Sequence, residues 1–206
     1  MNDRAIDIAT LAWDKMDGLI PAAVQDADTD QLLMLGYMDR AALQATLDDG
    51  LVTFFSRSKQ RLWRKGETSG NVLELVAIAA DCDSDALLVR ARPNGPTCHL
   101  GTESCFGDLP SGAGWLGKLE RIVATRAAAD PQESYTARLL AEGPGKAAQK
   151  VGEEGVEVAL AAVSRDQEGL AEEAADLLFH LLVSLRSREL SLAQVIGVLQ
   201  ARHLSV

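Results

Sequence analysis

The hydrophobic period of this chain changes once, near residue 110, and that change limits the folds open to it. From Leu19 to Leu100, apolar residues come in short runs broken by turn signals. Leu51-Val52-Thr53-Phe54-Phe55 is β-branched and aromatic, and Val72 to Ala79 and Ala86 to Val89 are further strand candidates. Gly66 to Gly70 offers a hairpin connection, and Pro93-Asn94-Gly95-Pro96 a tight turn. Asp39 to Leu47 is the one helical pattern of this half. Residues 107–117 then collect Gly107, Pro110, Ser111, Gly112, Gly114 and Gly117, the composition of a linker. Beyond it the period is helical. Leu170, Ala174, Leu177, Leu178, Leu181, Leu182 and Leu185 fall on one helix face, and residues 115–128, 146–164 and 191–203 are further helices, the last with Ser191 as N-cap. The expectation is two domains: a β-rich α+β domain over residues 1–110 and an all-α helical bundle over residues 115–206.

Charge narrows the partners. The net charge is −10, with 10 basic and 16 acidic residues in 1–106 and 10 and 14 in 107–206. Such a chain suits no general nucleic-acid surface, whose phosphates demand cations. It suits divalent cations, which then bind phosphate. No apolar run approaches the 18 or more residues of a membrane span, and Met1 to Ala12, with Asp3 and Asp7, lacks a signal-peptide pattern. The chain is expected in the cytoplasm, where thiols stay reduced and grouped cysteines favour metal over disulfide.

All three cysteines, Cys82, Cys98 and Cys105, fall within 24 residues. Thiolates are soft donors that suit zinc. Three of them leave a zinc position open to water, the arrangement of a catalytic site. Cys82 is itself embedded in Asp81-Cys82-Asp83-Ser84-Asp85, whose carboxylates are hard donors that suit magnesium. Between Asp49 and Glu67 there is no acidic residue, yet Arg57, Lys59, Arg61, Arg64 and Lys65 crowd that gap among serines and glycines. Guanidinium forks, hydroxyls and backbone N–H groups together can cradle phosphate. A solvated basic hairpin is the plainer reading. Trp63 stands open between a core position and a base-stacking one.

The second half repeats one acidic spacing. Glu153-Glu154-Gly155-Val156-Glu157 and Glu172-Glu173-Ala174-Ala175-Asp176 each put carboxylates on one helix face. Packed antiparallel, the two helices would converge four or more carboxylates. Their repulsion asks for a cation. Lys146 and Lys150 lie one to two turns before the first motif, placed to meet phosphate oxygens.

These residues resemble two known families. Val24-Gln25-Asp26-Ala27, Leu33 to Met38, Phe54-Phe55-Ser56-Arg57-Ser58, Leu62 to Asn71, Asp81 to Asp85 and Cys98-His99 resemble phosphoribosyl-AMP cyclohydrolase over about residues 11–106. Ser134-Tyr135-Thr136, Lys150-Val151-Gly152-Glu153-Glu154 with Glu157, and Glu173 with Asp176 resemble phosphoribosyl-ATP pyrophosphohydrolase, of the all-α nucleotide pyrophosphatase type, over roughly residues 115–203. The two halves in this order resemble the bifunctional histidine-biosynthesis family. Gly155 inside the first acidic helix costs up to ~1 kcal/mol of helix propensity.

The resemblance implies a homodimer whose zinc ligands, Cys82, Cys98 and Cys105, are shared between subunits. It implies magnesium on Asp81, Asp83 and Asp85. It implies a second magnesium on Glu154, Glu157, Glu173 and Asp176, with Glu153 nearby, holding the triphosphate of an ATP-like substrate. The implied reactions are pyrophosphate release in the helical half and zinc-assisted opening of the adenine ring in the first half. His99 is the candidate for proton transfer, with a structural role as its alternative. Arg57, Lys59, Arg64 and Lys65 are candidates for the substrate phosphates. Two other readings stay open: a general nucleotide pyrophosphatase in the second half, and a non-catalytic nucleotide-binding regulator with a structural zinc.

Overall fold

The computed structural model describes residues 6–107, 112–164 and 167–203. Pro110 and Ser111 of the expected linker, and Asp3, lie outside them. The chain forms two compact units, residues 1–114 and 115–206.

The first unit is built on a four-stranded sheet. Its strands are β1 (Ile20–Asp26), β2 (Leu32–Met38), β5 (Leu73–Ala80) and β6 (Leu87–Pro93), in the order β2-β1-β6-β5. β1 runs antiparallel to β2 and parallel to β6, and β5 runs antiparallel to β6. Ile20, Ala22, Val24 and Asp26 alternate inward along β1, the period of a strand with one buried face. A separate hairpin pairs β3 (Thr53–Ser56) with β4 (Arg61–Arg64). Helix α1 (Arg40–Asp49) opens on Asp39, whose carboxylate accepts the Ala42 N–H at 2.7 Å, and closes on left-handed Gly50. Ala42 and Leu43 of α1 join Phe54, Leu73, Leu75, Leu87 and Val89 in one core.

The hairpin departs from expectation. Its turn is Arg57–Gln60, with Gln60 taking the positive φ of 50° itself, while Gly66–Gly70 joins β4 to β5. The glycine signal marked the connection after the hairpin, because a polar turn needs no glycine when another residue accepts the left-handed conformation. β6 also runs four residues beyond Val89, to Pro93.

The second unit is all helix: α2 (Trp115–Ala127), α3 (Tyr135–Ala141), α4 (Pro144–Ser164), α5 (Gln167–Arg186) and α6 (Leu192–His203). α4 and α5 form its long pair, and Val123, Leu139, Leu182 and Val183 are its buried apolar centre. Val156, Leu160 and Val163 of α4 stay exposed at helical spacing. Among the described residues, no helix is long and apolar enough to cross a membrane.

Candidate functional site

Cys98 and Cys105 come together in the loop that follows β6. Backbone contacts fix that loop: the Cys105 N–H donates to the Leu33 carbonyl at 2.8 Å, and the Ser104 hydroxyl donates to the Leu32 carbonyl at 2.8 Å. Cys98 is buried and its thiol is held below the ordinary value, first by the Leu100 N–H and then by the Thr102 hydroxyl. Burial, and then the neighbouring Cys98, push the Cys105 thiol up. Both thiols would bind a metal as thiolates.

The two thiols stand in a cleft of about 450 Å³ whose walls include Met34, Trp63, Lys65, Thr97 and His99. His99 is exposed, with Nδ1 3.9 Å from Cys98 Sγ. Lys65 is buried to 7 % exposure, its ammonium 3.0 Å from the Asn71 carbonyl, and desolvation lowers its pKa. Thr97 is 3 % exposed and its hydroxyl has no hydrogen-bond partner among the described residues. An orphaned hydroxyl in a cleft wall costs about 1–3 kcal/mol unless a ligand or water meets it. Neither Thr97 nor this deficit is legible in sequence.

Cys82 stands elsewhere. It is exposed in the turn between β5 and β6. The Leu33 end of β2 lies beside the Asp26 end of β1, which pairs with Ala91 of β6, so Cys98 and Cys105 belong to the far end of β6. The seven residues of β6 separate the two places by roughly 20 Å, at ~3.3 Å per residue. Among the described residues, no group of three metal donors contains a cysteine. One chain therefore fits two soft positions of a zinc site and leaves the third to be supplied.

Asp81, Asp83 and Asp85 do converge, with one oxygen of each within 4.8 Å of the others. Asp81 closes the turn by accepting the N–H groups of Asp85 and Ala86 at 3.0 and 3.1 Å. The Lys15 ammonium lies 2.5 Å from Asp83 and 2.9 Å from Asp85 and holds the Asp83 carboxyl below its usual range. An oxygen-only donor set fits a hard cation, and Lys15 already puts a positive charge there.

The basic stretch is more paired than its sequence implies. Arg64 binds Asp49, and Arg61 binds Glu67 with both guanidinium nitrogens, at 2.6 and 3.2 Å. Both acids flank the acid-free gap, and the fold brings them back. Arg57 lies 3.8 Å over the Tyr37 ring, in an open cleft of about 580 Å³ that also holds Ser56 and Ser58. Lys59 is exposed in the hairpin turn, its backbone N–H 3.3 Å from the Ser56 hydroxyl. Trp63 stacks on Phe54 of the core at 5.7 Å and lines both clefts.

In the helical unit, Glu154 and Glu157 of α4 meet Glu173 of α5 within 4.8 Å. Glu154 is 4 % exposed, and the Lys150 ammonium, 2.8 Å away, holds its carboxyl below the usual range. Repulsion from Glu154, then burial, pushes the Glu157 carboxyl up, with Glu173 adding to it. Three crowded oxygens with an unmet demand for positive charge fit magnesium. Glu153 turns instead to Gln149 and Lys150, at 2.7 and 2.9 Å, and Asp176 falls outside the group of three. Lys146 binds Gln149 at 3.1 Å. His180 and Tyr135 underlie the cluster, joined at 3.0 Å. Tyr135 entered the sequence reading only within the Ser134-Tyr135-Thr136 motif, and His180 did not enter it.

A family model of phosphoribosyl-AMP cyclohydrolase matches residues 34–107, and one of phosphoribosyl-ATP pyrophosphohydrolase matches residues 116–203. The chain is 58% identical to a protein of Xylella fastidiosa named histidine biosynthesis bifunctional protein HisIE, over 96% of this chain and 95% of that one. Proteins of the same name from Salmonella typhimurium and Vibrio vulnificus are 58% and 53% identical, over 94% and 98% of this chain and 95% and 100% of theirs. With both halves matched in order over nearly its whole length, this chain belongs to the family of histidine biosynthesis bifunctional proteins.

Proposed function

We propose that this enzyme performs two successive hydrolyses in histidine biosynthesis. The domain of residues 115–206 splits phosphoribosyl-ATP with water into phosphoribosyl-AMP and pyrophosphate. The domain of residues 1–110 then opens the adenine ring of phosphoribosyl-AMP with a second water. The observation that carries this reading is that each unit has its own donor set: a thiol pair and an acidic turn lie within the cyclohydrolase match, and a carboxylate trio across two helices lies within the pyrophosphohydrolase match.

In ring opening, water adds at C6 and the N1–C6 bond breaks. N1 keeps the electron pair and takes up a proton, which His99 in the cleft wall would deliver. Zinc, when bound, makes that water nucleophilic near neutral pH. Cys98 and Cys105 of one chain would hold it, and Cys82 of a second copy would complete the set, because β6 keeps Cys82 from reaching its own pair. Lys65, fixed beside the thiols, balances their charge and is not free for phosphate. Arg57 and Lys59, with Ser56 and Ser58, remain for the phosphates, and Asp81, Asp83 and Asp85 for magnesium. The homodimer also finds support in the exposed apolar row Val156, Leu160 and Val163.

In pyrophosphate release, magnesium, when bound, draws charge from the phosphate oxygens. Glu154, Glu157 and Glu173 would hold it, with Glu153 and Asp176 at the margin, and Lys146 and Lys150, which bind Gln149, Glu153 and Glu154, would turn to the phosphates. Three free thiols fit a cytoplasmic location.

The test is to give the purified chain phosphoribosyl-ATP or an ordinary nucleoside triphosphate, each with magnesium. Pyrophosphate from the first and little from the second is expected. Equal rates on both would make the helical half a general nucleotide pyrophosphatase.

A further inference from the structure

His180 lies on α5 among leucines, 6 % exposed, below the carboxylates that face α4. Its Nδ1 is 2.9 Å from the Asp176 backbone oxygen and 3.5 Å from Glu154 Oε1. Its Nε2 is 3.0 Å from the Tyr135 hydroxyl. A carbonyl oxygen only accepts, so Nδ1 carries the proton. In the neutral ring Nε2 is then an acceptor, and Tyr135 donates to it. Tyr135 stacks on Phe179 at 6.3 Å and meets His180 edge-on at 6.0 Å. The imidazole is fixed in position and in tautomer.

Glu154 is the buried member of the carboxylate trio. Lys150 binds it at 2.8 Å, and the His180 ring, whose Nδ1–H goes to the Asp176 carbonyl, packs against it with Nδ1 3.5 Å from Oε1. Until an ion arrives, three carboxylates kept together against their own repulsion need neighbouring groups to hold them there. Metal sites commonly solve this with a hydrogen-bonded shell behind the ligands.

We propose that His180, locked in its Nδ1–H form by Tyr135, is a positioning residue for the divalent-cation site of the helical unit. It holds Glu154 and the Asp176 turn so that Glu154, Glu157 and Glu173 converge before the ion arrives. The inference rests on the reading of that trio as a cation site.

Mn2+ binding to the full-length chain tests both, measured by water-proton relaxation in a background carrying Asp83→Asn and Asp85→Asn. That background disables the other acidic cluster found among the described residues. Tyr135→Phe and His180→Gln should each weaken Mn2+ binding by about 10- to 100-fold, the range for residues behind metal ligands. His180→Asn places an amide N–H where Nδ1–H stands, and should bind Mn2+ more tightly than His180→Gln. A purely packing role would lower the melting temperature of both without ordering them in affinity. With the same His180 and Tyr135 substitutions in the otherwise wild-type chain, the magnesium concentration needed for half-maximal pyrophosphate release should rise in step, while ring opening of added phosphoribosyl-AMP stays unchanged. Equal affinities for the Asn and Gln variants, or an unchanged affinity in Tyr135→Phe, would overturn the proposal. Tyr135→Phe removes one oxygen atom, so the test survives if the histidine variants do not fold. Absence of Mn2+ binding in the parent background would instead overturn the cation site itself.

Discussion

Gly66 and Gly70 bound the same stretch, and the cleft treats them differently. Both have positive φ, 83° and 78°. A β-carbon on Gly66 would lie 2.5 Å from the backbone of Asn71, whereas one on Gly70 would meet nothing within 4 Å. Gly70→Ala should cost only the left-handed penalty of about 1–2 kcal/mol. Gly66→Ala adds a collision with backbone that cannot rotate away, and should lose roughly 1–3 kcal/mol more. Chemical denaturation of the two variants would check this, and equal losses would mean that the Gly66 turn yields. Residue chemistry was legible in the sequence wherever the residue acts through its own atoms: thiols, carboxylates and guanidiniums could be named. Their partners were not legible. Arg64 looked free because Asp49 lies beyond the acid-free gap, and Thr97 looked ordinary because its missing partner exists only in a folded cleft.

At the scale of elements, a long hydrophobic period gave away α5, and the helical pattern from Asp39 to Leu47 matched α1, which Asp39 caps. The seven-residue α3 carries too few turns for periodicity to register. Its signal was Ser134, whose hydroxyl accepts the Ala137 N–H at 3.2 Å and donates to the Arg126 carbonyl at 3.1 Å. Sequence spacing also misled about the thiols. Cys82 and Cys98 are 16 residues apart, and β6 spends seven of those residues as a rigid spacer. That spacer has a testable consequence. Cys82→Ser and Cys98→Ser chains should each fail at ring opening. Mixed and allowed to exchange, they should recover about a quarter of wild-type activity, because half the dimers are mixed and one of their two sites is intact. No recovery after verified exchange would place all the ligands within one chain.

For the whole molecule, the change of period near residue 110 pointed to two units, and the chain forms two, residues 1–114 and 115–206. The account assigns one reaction to each, with separate donors. The most direct test supplies phosphoribosyl-ATP to the wild type, Cys98→Ser and Glu157→Gln, and follows pyrophosphate and ring opening in the same reaction. Glu157→Gln should cut pyrophosphate release by at least ~10²-fold, since cation-held phosphate charge is worth several kcal/mol. The same variant should still open the ring of added phosphoribosyl-AMP. Cys98→Ser should release pyrophosphate near the wild-type rate and leave phosphoribosyl-AMP to accumulate. Loss of both signals in either folded variant, or retention of both, would contradict two independent sites on one chain.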